Sequence, residues 1–159
     1  MLGGNKIDLA DTIEMKAWDD YIRQQLSGLR FAPVVFLSAR EGRNVIATCE
    51  LLRDLHRQAG TTIPTSALNE VLQEAKIKLS PKSRGKYPKL YYGTQVQAHP
   101  ITIVIFVNDP KLFRGQYERY LSNVLREKFG IDEVPIQIVF KPRIRKDDER
   151  PAGAPSRPI

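Results

Sequence analysis

One stretch of the chain is apolar almost without interruption. Ile101-Thr102-Ile103-Val104-Ile105-Phe106-Val107 runs uncharged between His99-Pro100 and Asn108-Asp109-Pro110. Its length and the flanking punctuation predict a strand. Apolar side chains on both faces predict that it is central in its sheet, with at least one face under helices. The segments around it read as elements that pack on it. Thr65 can cap a helix carrying Leu68, Val71, Leu72 and Ala75 on one side. Lys89 to Val96 predicts a strand, with Leu90, Tyr92, Thr94 and Val96 on one face and Tyr91 and Gln95 on the other. The short connection Gln97 to Pro100 makes it an antiparallel partner of the apolar strand. Asp109-Pro110 looks like a cap with proline in a first turn. Tyr117, Tyr120, Leu121, Val124, Leu125 and Phe129 mark a helix over 116–129, with Arg126 and Lys128 in its last turn and Gly130 as its stop. Ile136, Ile138 and Phe140 alternate with Gln137, Val139 and Lys141 in a closing strand. The order is α–β–β–α–β, a three-stranded sheet covered by helices.

The first sixty residues follow another pattern. Trp18, Ile22, Leu26 and Leu29 predict a helix over 12–29. Pro33 to Ala39 reads as a buried strand. Val45, Cys49, Leu52 and Ala59 form the stripe of a second helix over 43–59, which Gly60 ends. Helix–strand–helix with a wholly apolar strand is a piece of a parallel α/β layer structure. Only four residues precede Asn5, so no strand is expected there. A lone strand exposes backbone, so local instability or docking on the C-terminal module is expected. Gly60-Thr61-Thr62-Ile63-Pro64 marks a boundary, giving units at 1–60, 61–142 and 143–159.

Charge and composition narrow the function. The 159 residues carry a net charge of +7, which favours an anionic partner, nucleic acid ahead of membrane. A basic but inert surface is the alternative. One cysteine excludes a disulfide scaffold or a cysteine-rich zinc site and fits a reducing compartment. No apolar run is long enough to span a membrane, and Met1 to Lys6 does not resemble a signal peptide. A cytoplasmic protein is expected.

Two short motifs carry the first candidate chemistry. Asn5-Lys6-Ile7-Asp8 lies at the start, and Ser38-Ala39-Arg40 lies just past the first strand. The pair resembles the guanine-recognition motifs of P-loop GTPases. The resemblance implies that Asp8 accepts hydrogen bonds from the ring N–H and exocyclic amine of guanine. It also implies that the Lys6 stem lies along the base, that Asn5 ties its loop to a phosphate loop, and that the Ala39 N–H donates to the guanine carbonyl. The plainer alternative is a helix-start turn, with Asp11 or Thr12 as the cap. No Gly-x-x-x-x-Gly-Lys-Ser/Thr and no Asp-x-x-Gly occurs, so the parts that hold phosphates, magnesium and the attacking water are missing. GTP or GDP is expected as a ligand of an intact, longer protein, with hydrolysis absent from this piece alone.

The C-terminal two-thirds carries a second resemblance. Pro64-Thr65, Leu68-Asn69, Tyr92-x-Thr94-Gln95-Val96, Pro100, Phe106 to Pro110, Tyr117-x-Arg119-Tyr120-Leu121, Leu125-Arg126-Glu127-x-Phe129-Gly130 and Val134-Pro135-Ile136 are similar to the KH-like domain of the bacterial double-G-domain GTPases Der or EngA. Phe31 to Ala39 is similar to the last strand of that family's second G domain. The match covers about residues 5–142. It implies an α/β fragment of a P-loop GTPase domain followed by an α+β KH-like domain. It further implies a role in large ribosomal subunit assembly, with rRNA, the subunit precursor and the protein's own G domains as partners. No Gly-x-x-Gly occurs, so the backbone clamp of true KH modules is not expected.

The segment 76–89 holds Lys76, Lys78, Lys82, Arg84, Lys86 and Lys89 with no acid. It is the candidate RNA contact, because lysine and arginine neutralise phosphates, and Tyr87 and Tyr91 can stack on bases. A solvated loop is the bland alternative. Asn108, Arg119 and Arg126 read as braces of the fold or as docking residues. His56, His99, Glu118 and Glu127 read as structural, so no catalytic or metal site is expected. Residues 143–159 read as a disordered tail.

Overall fold

The computed structural model describes residues 1–10, 15–79 and 87–143. β1 (Leu2–Gly4) pairs in parallel with β2 (Val34–Phe36), with Leu2 opposite Val34 and Gly4 opposite Phe36. This corrects the expectation of a lone strand. β2 needs partners for its backbone groups, and three residues supply them. The Leu2 N–H bonds Pro33 O at 2.9 Å, and the Leu37 N–H bonds Gly4 O at 2.8 Å. Glycine at position 4 admits the Phe36 ring, which a Cβ would meet at 2.7 Å.

α1 (Met15–Gln25) is shorter than the helix expected over 12–29. Leu26 leaves helical geometry at φ −111°, and a 3₁₀ turn over Ser27–Leu29 follows. Asp11 and Thr12, the candidate caps, lie outside the described residues. Trp18 and Ile22 border a cavity against Gly4 and Phe36, yet α1 buries no residue fully.

α2 (Val45–Ala59) corrects the expected stripe. Thr48 and Leu55 are buried, and Leu51 and Ala59 pack on the core. Cys49 is exposed and Leu52 is 47% exposed. The helix is oriented by its C-terminal half, where Leu55 joins a core that includes Ile63 and Leu68.

α3 (Thr65–Lys78) buries Leu68, Val71, Leu72 and Ala75 as expected. Its cap is the extended Pro64, whose carbonyl accepts from the Leu68 N–H at 2.9 Å, so Thr65 is already the first helical residue. β3 (Leu90–Gln97) runs antiparallel to β4 (Ile101–Val107). Asp109 then caps a short turn, accepting from the Lys111 N–H. α4 (Gln116–Phe129) ends at Gly130, whose φ of 62° suits glycine. β5 (Ile136–Pro142) lies parallel to β4, giving the order β3-β4-β5. Ile101, Ile103, Ile105 and Val107 are fully enclosed with Leu72, Leu121 and Leu125.

The faces of β3 differ from expectation. A bulge between Leu90 and Tyr92 reverses the alternation. Leu90 and Gly93 point inward, whereas Tyr92 is 43% and Val96 58% exposed. Tyr92 stacks on Phe106 instead, at 4.6 Å between centroids.

Side-chain amides complete the module. Asn69 Nδ2 donates to Gly93 O at 2.9 Å, and the Gly93 N–H donates to Asn69 Oδ1 at 2.8 Å. Gln95 accepts from the Ile63 N–H at 2.7 Å and donates to Thr61 O at 2.9 Å. Asn108 accepts from the Lys89 N–H and donates to Tyr87 O, both at 2.8 Å. Thus Gln95 ties the linker to β3, Asn69 ties α3 to β3 at Gly93, and Asn108 fixes the entry to β3.

Candidate functional site

The two motifs, Asn5 to Asp8 and Ser38 to Arg40, sit at the carboxyl ends of the parallel pair. β1 delivers Asn5 and Lys6, and Asp8 lies in a 3₁₀ turn over Ile7–Leu9. β2 delivers Ser38, Ala39 and Arg40. Asn5, Lys6, Asp8, Leu9, Ala39 and Arg40 line one cavity of about 360 Å³. Ser38 stands behind it, fully buried, and its Oγ donates to Asp8 Oδ1 at 2.6 Å. The same Oγ accepts from the Glu41 N–H at 3.3 Å. The hydroxyl therefore fixes the carboxylate and the returning loop together. Sequence had marked Ser38 only as part of a motif; its bond to a residue thirty positions away depends on the pairing of β1 with β2.

Asn5 bridges the two loops of the cavity. Its Oδ1 accepts from the Lys6 N–H at 2.8 Å and the Ala39 N–H at 3.2 Å. The Ala39 N–H is thus already engaged. Lys6 holds a left-handed backbone, φ 65°, which turns the chain from strand into turn. Arg40 is exposed at the rim.

The basic segment is described only at its ends. Lys82, Arg84 and Lys86 lie outside the described residues. Lys76 is half-buried and Lys78 exposed at the end of α3. Tyr87 is 87% exposed, so it is no core residue. Lys89 is exposed at the entrance to β3, and Tyr91 carries the Arg143 guanidinium 5.1 Å above its ring.

Arg126 is a brace. Its Nη1 donates to the carbonyls of Ile131, Asp132 and Val134 at 3.0, 3.0 and 2.8 Å. Its guanidinium lies 4.4 Å over the Phe31 ring. Burial lowers its pKa from the ordinary value, and the Asp132 charge works against that shift. It borders a second cavity, of about 660 Å³, with Arg30, Arg119, Ser122 and Asn123. Arg30, Ser122 and Asn123 escaped the sequence reading. The available signal was the spacing of 119, 122, 123 and 126, which places them on one helix face.

His56 and His99 stack at 4.9 Å across the junction between the two halves, with no metal cluster among the described residues. Gln58 and Glu133 also meet there, Gln58 Nε2 donating at 3.1 Å and Glu133 N–H donating back at 3.2 Å. Among the described residues no helix is long and apolar enough to cross a membrane.

The chain is 38% identical over 146 residues to GTPase Der of Ruminiclostridium cellulolyticum, covering 90% of the chain and 33% of that protein. It is 39% identical over 142 residues to GTPase Der of Lactobacillus johnsonii, covering 87% and 33%. The chain thus spans about a third of the length of the curated relatives it matches. A solved chain of Era in complex with MgGDPNP and nucleotides 1506–1542 of 16S ribosomal RNA aligns at 17% identity and a TM-score of 0.30, over 95% of this chain and 57% of that one. At that score the alignment bears on neither fold nor site. Residues 62–141 match the KH-domain-like C-terminal family of EngA bacterial GTPases. With a three-stranded sheet, two covering helices and that match over half its length, the chain belongs to the KH-domain-like family found at the C-terminus of EngA bacterial GTPases.

Proposed function

We propose that this chain joins the base-selecting end of a G domain to an RNA-contacting KH-like domain, within a longer cytoplasmic GTPase that acts in assembly of the large ribosomal subunit. The observation that carries it is the Ser38–Asp8 bond, which gathers both guanine motifs around one cavity. A guanine base there would offer two N–H groups to Asp8, which keeps one oxygen clear of Ser38. The Ala39 N–H reaches the base carbonyl once Asn5 Oδ1 releases it. Phosphates and magnesium would be held by residues outside this sequence, so GTP and GDP bind fully only in the intact protein. The KH-like domain then contacts rRNA through Lys76, Lys78, Lys82, Arg84, Lys86, Tyr87 and Lys89.

Two measurements test this. Calorimetry with GDP and ADP on the 159-residue chain should show weak binding that favours guanine. Asp8→Asn should transfer the preference to xanthine, whose carbonyl faces a donor amide; equal affinity for GDP and ADP in the wild type would count against the pocket. Filter binding to rRNA across salt concentrations tests the basic segment. Neutralising its six basic residues should weaken binding and lower the salt slope by roughly 0.7 per lost phosphate contact. An unchanged slope would remove the segment from the interface. The cross-junction bonds of Gln58 with Glu133 support a second reading, in which the KH-like domain senses its own G domains.

A further inference from the structure

We propose that the cleft between the 27–31 turn, α4 and the start of β5 is a phosphate-binding site, separate from the basic segment. Arg30, Arg119 and Arg126 line this cavity of about 660 Å³ together with Ser122 and Asn123, and Asp132 is the carboxylate on its wall. Arg119, Ser122, Asn123 and Arg126 belong to one face of α4, away from the buried Leu121 and Leu125. Arg30 arrives from the other half of the chain, so the site exists only where the halves meet.

Three guanidiniums around one cavity repel each other. Asp132 offsets one of them, and Arg30 and Arg119 form no ion pair among the described residues. A phosphate group offsets the remaining charge and matches the planar fork of each guanidinium. Arg126 is already oriented, held by three carbonyls and laid over Phe31. Its Nε and Nη2 have no acceptor among the described residues and remain available as donors. Ser122 and Asn123 add neutral donors beside them. Arginine suits position 126 better than lysine because it keeps its charge where burial disfavours it.

The site is distant from Lys89, the described end of the basic segment at β3. Lys89 enters β3 beside Asn108, at the Val107 and Pro142 end of the sheet. The cleft touches Ile136, at the Ile101 end. Six strand steps separate them, about 20 Å. The phosphate could be a free anion or a phosphodiester of a nucleic-acid strand, and these sources are separable.

The test is calorimetry on the full chain with sodium pyrophosphate and with a ten-nucleotide single-stranded oligouridine. Arg30→Gln/Arg119→Gln should weaken at least one of the two ligands by about tenfold or more, at fold-retaining circular dichroism. Loss confined to pyrophosphate identifies a free anion, and loss confined to RNA identifies a strand phosphodiester. Arg119→Lys keeps the charge but not the fork and should fall between wild type and the double variant. Unchanged binding of both ligands in the double variant overturns the site. Lys78→Gln/Lys89→Gln serves as control: it should weaken RNA and leave pyrophosphate untouched, so failure there counts only against the basic segment.

Discussion

Tyr117 is the least comfortable side chain in the core. It is 4% exposed, and its hydroxyl has no hydrogen-bond partner among the described residues. Burial, with a smaller contribution from Tyr120, pushes its pKa up to about 12. A buried donor without an acceptor costs roughly 1–3 kcal/mol. Tyr117→Phe should therefore be neutral or stabilising by about 1 kcal/mol near pH 7 in urea unfolding. The same residue gives a pH signature. Its folded pKa lies above the unfolded value near 10, so its contribution is intact below pH 10 and lost between about 10 and 12. That loss is about 2–3 kcal/mol for a shift of about two units. The phenylalanine variant should lose less stability over that interval, and parallel alkaline profiles would refute the assignment.

At the level of elements, α3 packs closely on β3 at Gly93. A Cβ on Gly93 would lie 2.6 Å from Leu72 Cδ1, a side chain with no exposure. Gly93→Ala should cost about 1–3 kcal/mol by pushing the helix off the strand and stretching the Asn69 pair. Leu72→Ala opens space at the same point, so the double variant should be more stable than the sum of the two losses in chemical denaturation. Strict additivity would show that the helix does not press on Gly93. The same contact shows what sequence could reveal. β4 was legible because its apolar run is unbroken, and α4 because Tyr117, Leu121 and Leu125 keep a helical period to Gly130. The phase of β3 was not, since the bulge at Tyr91 leaves no mark in an alternating string. The stripe of α2 was misjudged because its burying partner, the core around Ile63 and Leu68, comes from a later segment. At the 360 Å³ cavity, the two motifs that hold Asn5, Asp8 and Ala39 were visible in the sequence, though not that they share one wall. The turn of Asn5 onto Ala39 was hidden, because it depends on two loops meeting in space.

In the whole molecule the two halves are unequally secured. α1 buries nothing fully, and Trp18 is 38% exposed. Leu55 of α2, in contrast, lies in the same cluster as Ile103 and Leu121. The chain's single tryptophan and its sheet should therefore melt apart in urea. Trp18 fluorescence should change at lower denaturant than the far-ultraviolet dichroism of the main sheet. Leu55→Ala should lower the later transition by about 2–4 kcal/mol. Coincident midpoints for both probes would mean that α1 is held as firmly as the sheet. α2 itself spans the divide. Its first residue follows Asn44, whose Nδ2 donates to Phe36 O beside the pocket loops, and its last turns end against Glu133 and His99. Fifteen residues make a rod of about 22 Å. Fastened at both ends, such a rod is a lever: a tilt of about 5° over that length carries its far tip about 2 Å. A tilt of that size begun at Asn44 would shift the Gln58–Glu133 and His56–His99 contacts by the same distance.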